Sequence, residues 1–162
     1  MTHLDRSACP RRQVCRRWPA QFLAAASASM ALWTPSAGAA QALVIKISGI
    51  AAPLGMIGCA LYADEKGFPM ETSSARTQWV EARAEAAICR FDDVAPGRYA
   101  VSVSHDANGN RKLDTNLLGI PTEQWGVSNN VRPLMRAPRF EEAAFVIPLL
   151  GNETPIEIRI AK

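Results

Sequence analysis

Short segments in which apolar and polar residues alternate recur along most of this chain, and they limit the fold more than any other feature. In the segment 156–160, for example, isoleucine alternates with Glu157 and Arg159. Alternation with a period of two residues is typical of a β-strand with one buried face, and turn residues such as those at 92–97 separate the segments. About seven such strands predict an all-β fold, a single antiparallel β-sandwich. The predicted strands span residues 42–48, 56–63, 78–83, 87–91, 98–104, 145–147 and 156–160.

The first 40 residues have the composition of an export signal. Residues 1–17 contain five arginines and one acidic residue, Asp5. An apolar stretch follows at 22–33, shorter than the roughly 20 residues that a membrane-spanning helix needs, and small residues come after it, with alanine at 39, 40 and 42. This pattern predicts a cleaved secretory signal peptide at 1–40, with an uncleaved membrane anchor as the alternative. The folded domain is then 41–162, and we expect it to be periplasmic or secreted.

Without the signal peptide the chain is nearly neutral. Residues 41–162 contain thirteen Lys and Arg against fourteen Asp and Glu, a net charge of −1, although the whole chain carries +3. Nucleic-acid binding depends on neutralising phosphates with basic side chains, so we expect no nucleic-acid partner. We also expect no membrane anchor within 41–162.

Cys59 and Cys89 are the two cysteines that remain beyond the signal peptide. Exported domains commonly join such a pair in a disulfide bond. The bond would close a loop of about 30 residues and stabilise the fold by about 3–4 kcal/mol through chain entropy. The alternative is two separate buried thiols. Neither cysteine has a second Cys or His at metal-ligand spacing, so a zinc site is not expected.

A long polar stretch, 105–130, follows the fifth predicted strand and begins with oxygen-bearing side chains at alternate positions. Calcium takes six to eight oxygen ligands, and a calcium loop supplies them at its first, third, fifth, seventh and ninth positions, the seventh through a backbone carbonyl. The positions that fit this spacing predict a weak calcium site. They are Asp106, Asn108, Asn110, the carbonyl of Lys112, and Asp114.

Two positions of this stretch depart from a calcium loop. The sixth is Arg111, where a sharp turn prefers glycine, and the twelfth is Leu117, where a bidentate glutamate is usual; Glu123 is a candidate to replace that glutamate. The alternative is a metal-free turn, because Asp and Asn side chains accept hydrogen bonds from the backbone two residues further on. The sequence leaves both interpretations open.

Residues 91–130 resemble an exported bacterial family called domain of unknown function 2141. The matching run is F-x-D-V-x-P-G-R-Y-A-V-S-V-x-H-D-x-N-G-N-x-K-L-D-T-N-x-x-G-I-P-x-E-x-W-G-V-S-N-N. The resemblance implies export and a small prealbumin-like sandwich with Greek-key strand order, as in transthyretin and immunoglobulin domains. It implies no activity, because the family has none established. Members of the family usually carry Gly where this chain has Arg111.

Trp125 lies in the same stretch among polar side chains, Glu123, Asn129 and Asn130. An aromatic ring among amides and acids can stack on a sugar or a peptide and form hydrogen bonds with it. We therefore predict a non-enzymatic binding or accessory module of the cell envelope, whose partner is another envelope protein, a peptide or a glycan. The alternative is that Trp125 packs the long loop onto the sandwich.

His105 is the single histidine of residues 41–162. Together with Asp106 or Glu123 it forms the second functional hypothesis, a hydrolytic enzyme. No nucleophile motif accompanies it in the sequence, and catalysis needs nucleophile, base and oxyanion donors within reach of one another. We therefore favour the binding module over the enzyme.

Overall fold

The computed structural model describes residues 40–162. Residues 1–39, on which the predicted signal peptide depends, lie outside this range. Among the described residues no helix is long and apolar enough to cross a membrane. Short 3-10 turns occur at Thr72–Ser74 and Ser128–Asn130. The main elements are β1 Gln41–Ser48, β2 Met56–Tyr62, β3 Arg76–Glu81, β4 Ala87–Val94, β5 Gly97–Asp106, β6 Trp125–Val127, α1 Phe140–Ala143, β7 Phe145–Ile147 and β8 Glu153–Arg159.

The strands form two sheets that enclose one main core. The first sheet has the order β4-β1-β8, and the second has the order β3-β2-β5-β6. β7 also pairs with β5, beside its first residues, while β6 pairs further along the same strand. This arrangement confirms the all-β sandwich that the alternating segments predict.

The sheets differ from the prediction in two respects. β1 and β8 run parallel, with Ile47 opposite Ile158, whereas we predicted antiparallel pairing throughout. Two parallel neighbouring strands need a long connection between them. β1 is the first strand described and β8 is the last, so all of the other strands lie in that connection. β6 is an additional strand inside the stretch predicted as loop, and it forms because β5 offers a free edge rather than because its own three residues alternate.

The main core lies between the sheets and consists of the inward-facing residues of each strand. Cys59 of β2 and Cys89 of β4 lie within it and form a disulfide bond between the two sheets, with their Cα atoms 6.6 Å apart. This confirms the predicted pairing over two separate thiols. The fully buried core side chains include Leu43, Ile45, Ile47, Ile57, Val94, Val101, Ile147, Ile158 and Ile160.

A second, smaller apolar cluster covers one end of the outer face of the second sheet. Tyr62 and Ala100 lie there beneath Phe140 of α1, and Phe68 packs edge-on to Tyr62 and to Phe140, with ring centroids 5.2 Å and 6.0 Å away. Burial raises the pKa of the Tyr62 hydroxyl above its usual value. The cluster leaves the other end of this face, near the start of β2 and the end of β5, free of covering helix.

Candidate ligand-binding groove and the 105–130 loop

Four residues from four strands form one row across the outer face of the second sheet. Trp79 of β3 lies opposite Gly58 of β2, Gly58 lies opposite Ser104 of β5, and Ser104 lies opposite Trp125 of β6. Neighbouring strands lie about 4.8 Å apart, so the Cα atoms of the two tryptophans are roughly 14 Å apart. The row is therefore a trough that has an aromatic residue on each side and only small residues between.

Gly58 is what allows the Trp79 ring to lie across the sheet. A Cβ atom at position 58 would come within 2.7 Å of the Cη2 and Cζ3 atoms of the indole and within 3.1 Å of the Ser104 hydroxyl. Real Cβ atoms essentially never make contacts that short. The absence of a side chain at position 58 therefore gives the far edge of the indole the room to lie directly over β2.

Trp125, on the other side, is held by Arg132. The Arg132 guanidinium carbon lies 4.6 Å from the centre of the indole ring, an arrangement in which the cation is attracted to the ring face. The same guanidinium donates hydrogen bonds to the carbonyl oxygens of Trp125, Ala161 and Lys162, at 2.5, 2.7 and 3.0 Å. Trp125 is thus fixed between the loop and the carboxyl-terminal residues, and it remains half-buried.

The trough is the centre of a groove of about 450 Å³. The next row along the sheet also consists of small residues at its centre, with Ala60 opposite Ser102. Side chains with hydroxyl or charged groups border the groove, and both signs of charge are present. These bordering residues are Glu71, Thr72, Ser73, Thr77, Arg111 and Lys112.

Asp106, at the end of β5, organises the loop that overhangs this face. Its side chain is fully buried. One carboxylate oxygen accepts hydrogen bonds from the backbone N–H groups of Gly109 and Asn110, at 2.7 and 3.2 Å, and the other accepts one from Arg111 at 2.6 Å. The carboxylate therefore folds the chain back on itself immediately after the strand.

Two further carboxylates hold the rest of the loop. Asp114 accepts hydrogen bonds from the side-chain amides of Asn108 and Asn110, at 2.6 and 2.8 Å. Glu123 accepts hydrogen bonds from the backbone N–H groups of Ala107 and Asp114, both at 3.1 Å. Glu123 therefore closes the loop from its far end, so the residue predicted as a ligand contact lies here in a supporting position.

The predicted calcium ligands lie together, but their oxygens face N–H donors. The Asn108 and Asn110 side-chain oxygens accept the backbone N–H groups of Asn110 and Lys112, at 3.0 and 2.8 Å. Among the described residues no three His, Cys, Asp or Glu side chains are placed to share a metal ion. The arrangement matches the metal-free turn, and an ion would have to displace these donors. Calcium binding stays a prediction, which titration with Asp114→Ala as control tests.

Arg111 adopts a left-handed conformation, with φ of 59°. That conformation costs a residue with a side chain about 1–2 kcal/mol, whereas glycine adopts it freely. We expect Arg111→Gly to raise the free energy of unfolding by roughly 0.5 kcal/mol. Glycine relieves the backbone strain of the folded state, but it also increases the entropy of the unfolded chain, which offsets part of the gain. Urea denaturation measures it. Lys112→Gly is the matched control, and because its φ is not positive that variant should be destabilised; an equal effect of both changes would contradict this account.

His105 lies on the inner face of the second sheet, opposite Ile57, and is 5% exposed. Its Nε2 atom lies 2.7 Å from the carbonyl oxygen of Leu54, and its Nδ1 atom lies 3.2 Å from the side-chain oxygen of Gln124. Gln124 in turn accepts the backbone N–H of Ala51 at 2.8 Å. His105 thus connects the β1–β2 turn with the long loop, and it faces away from the groove.

Asn129 and Asn130, predicted as ligand contacts, hold the chain after β6. Both have positive φ, 60° and 52°. The Asn129 amide donates to the carbonyl oxygens of Glu142 and Ala144, at 3.1 and 3.0 Å. The Asn130 side-chain oxygen accepts the backbone N–H of Arg159 at 2.7 Å. The structure therefore brings neither amide into the groove with Trp125, and it places both at the junction with α1 and β8.

Sequence reasoning missed the residues that shape the groove, Trp79, Gly58, Ser102 and Ser104. A signal was present, because β2 and β5 carry small residues at outward-facing positions between two tryptophans. The pairing that places those positions in one row depends on the register of four strands, which the sequence pattern does not specify.

The fold and this groove define a class of protein, a two-sheet all-β domain with an aromatic-sided groove on one outer face. The family model described as an uncharacterized protein conserved in bacteria (DUF2141) matches residues 45–155. The chain belongs to this family, which confirms the resemblance noted in residues 91–130. A search of curated proteins and a search of solved structures found no match.

Proposed function

We propose that this chain is an exported, non-enzymatic binding module of the cell envelope and that it binds a glycan in the groove between Trp79 and Trp125. The row Trp79-Gly58-Ser104-Trp125 carries the proposal. The faces of indole rings pack well against the C–H faces of sugar rings, because both surfaces are apolar and flat. The hydroxyl groups of Thr77, Ser102 and Ser104 each supply a donor and an acceptor for sugar hydroxyls.

The chemistry of the floor favours a glycan over a peptide. Extended peptides are commonly bound by adding a strand to a free sheet edge, where main-chain hydrogen bonds supply the affinity. The floor of this groove is the face of β2 and β5, whose main-chain groups are used between neighbouring strands. A ligand lying across that face meets aromatic rings and hydroxyl groups, with charged side chains at the border of the groove.

The hydrolase hypothesis has less support. His105 lies on the inner face of the sheet opposite Ile57, while the groove lies on the outer face. Asp106 and Glu123 accept backbone N–H groups with both carboxylate oxygens. The hydrolase hypothesis rests on these three residues, and for a reaction in the groove at least one of them would have to turn toward it.

Tryptophan fluorescence tests the proposal directly. Of the four tryptophans, two lie in the predicted signal peptide, so Trp79 and Trp125 alone report on the exported domain. We expect one or more of a panel of neutral, N-acetylated and acidic oligosaccharides to change this emission at saturation. Trp79→Ala should weaken binding of the same oligosaccharide about two- to tenfold, because an aromatic contact contributes about 0.5–1.5 kcal/mol.

Ile88→Ala is the matched control, because Ile88 is an apolar residue 60% exposed on the other sheet. It should leave binding unchanged. Gly58→Ala should weaken binding as Trp79→Ala does, because the added methyl group displaces the ring. Failure of the whole panel, or equal affinity of Trp79→Ala and the unaltered protein, would contradict the glycan site. Turnover that survives Trp79→Ala but disappears in a folded His105→Gln variant would favour the hydrolase.

A further inference from the structure

The tip of the long loop, residues 116–120, presents three apolar side chains to solvent. Leu117 and Leu118 are 106% and 82% exposed, and Ile120 is 56% exposed. Large exposed apolar side chains grouped on one protrusion mark a contact with another surface more often than single ones do. The groove proposal makes no use of them.

The backbone of this tip forms its own hydrogen bonds. The Asn116 side-chain oxygen accepts the N–H groups of Leu118 and Ile120, both at 3.0 Å. The Asn116 N–H donates to the Ile120 carbonyl, and the Gly119 N–H donates to the Asn116 carbonyl, both at 2.9 Å. Gly119 has the positive φ of 75° that the turn requires. Four of the five N–H groups of the tip are thus satisfied without water, which lowers the cost of moving this backbone out of water.

Of the charged residues in the long loop, the two that are fully exposed are both basic. Arg111 and Lys112 are exposed. The three acidic residues of the loop turn their oxygens inward, since Asp106 is buried and Asp114 and Glu123 accept hydrogen bonds from within the loop. Exposed basic residues in the same loop as exposed apolar residues are typical of a segment that contacts a membrane surface with anionic headgroups.

We propose that the 116–120 tip docks on an anionic lipid bilayer, with Leu117 and Leu118 inserted at the headgroup boundary and Arg111 and Lys112 among the headgroups. A protein partner suits the tip less well. Three aliphatic side chains present at most a few hundred Å², whereas a stable protein–protein interface buries about 1,200 Å² or more. A bilayer surface needs no matching shape and accepts a small convex tip.

Vesicle co-sedimentation of the purified protein tests this proposal. We expect binding to vesicles of mixed phosphatidylcholine and phosphatidylglycerol and much weaker binding to phosphatidylcholine alone. The double change Leu117→Ser and Leu118→Ser should lower the partition coefficient at least roughly tenfold, because membrane affinity follows buried apolar groups. The double change Arg111→Gln and Lys112→Gln should remove the preference for phosphatidylglycerol and the sensitivity to salt.

Leu149 and Leu150 provide the matched control, because they are 67% and 88% exposed in a segment, 140–158, that contains no basic residue. Their double change to serine should leave vesicle binding unchanged. An equal loss in both serine variants, or no binding to either vesicle, would overturn the proposal. So would a dimer in lipid-free sedimentation that the Leu117 and Leu118 changes abolish, since the tip would then contact a second copy. Trp79→Ala should bind vesicles normally, which separates this outcome from failure of the groove.

Discussion

Replacing Cys59 and Cys89 together by alanine is expected to lower the free energy of unfolding by about 3–4 kcal/mol. The disulfide joins β2 to β4 across the main core, and the two residues are 30 positions apart in sequence. Without the disulfide the unfolded chain gains the conformational entropy that closing this loop removes. Domains of this size are stable by roughly 5–15 kcal/mol, so we expect a large shift of the urea midpoint.

Reduction provides an independent check of the same quantity. The unaltered protein in excess dithiothreitol should unfold near the midpoint of the double-alanine variant, because both lack the cross-link. The double variant itself should not respond to dithiothreitol. Both cysteines are nearly inaccessible, 1% and 0% exposed, so the comparison is made after the protein has been unfolded and refolded with reductant. Equal stability with and without the disulfide would contradict the prediction that this bond stabilises the fold by lowering the entropy of the unfolded chain.

Asp106→Ala is expected to lower the free energy of unfolding by about 2–4 kcal/mol, the second largest effect. The change leaves the backbone N–H groups of Gly109, Asn110 and Arg111 without their acceptor, and hydrogen bonds to a charged group contribute about 1.5–3 kcal/mol. Opening of the loop to water recovers part of the loss. We therefore also expect these three amides to exchange with solvent much faster, as hydrogen exchange followed by NMR would measure.

Asp64→Ala is the matched control for this prediction. Asp64 also accepts a backbone N–H two residues further on, that of Lys66 at 2.9 Å, but it does so on an exposed turn. Water replaces an exposed acceptor at little cost, so the change should lower stability by less than about 1 kcal/mol. If Asp106→Ala proved as mild as Asp64→Ala, with the loop amides still protected, the carboxylate would not be what folds the loop.

The strands that carry the core were predictable because their signal is local. In β1 and β8 the side chains that alternate in sequence also alternate between core and solvent. The cysteine pair was predicted because both residues lie beyond the predicted export signal. β6 was not predictable, because three residues have no periodicity of their own and depend on β5 for their hydrogen bonds. The parallel pairing of β1 and β8 likewise depends on where the two ends of the domain meet.

The sequence predicted a long loop after β5, but it did not predict what the side chains of that loop do. Residues 107–124 of the predicted stretch do form a long loop. Asp106 and Glu123, however, accept hydrogen bonds from backbone N–H groups, and Asn129 donates hydrogen bonds to the end of α1. A carboxylate in a sequence does not reveal whether its oxygens will face a ligand or the chain itself. That choice depends on which N–H groups the fold leaves without partners, and it is made only when the loop closes.

The pattern of the residues was thus sufficient to predict the all-β class and the position of the long loop, because each depends on neighbours in sequence. The disulfide could be predicted because residues 41–162 contain two cysteines only. The groove depends on the register of the strands, which only the tertiary structure decides. Trp79 and Trp125 are 46 positions apart, and they flank one trough only because the register of three strand pairs aligns them with Gly58 and Ser104. A shift of one residue in any pair would turn one of these side chains to the opposite face.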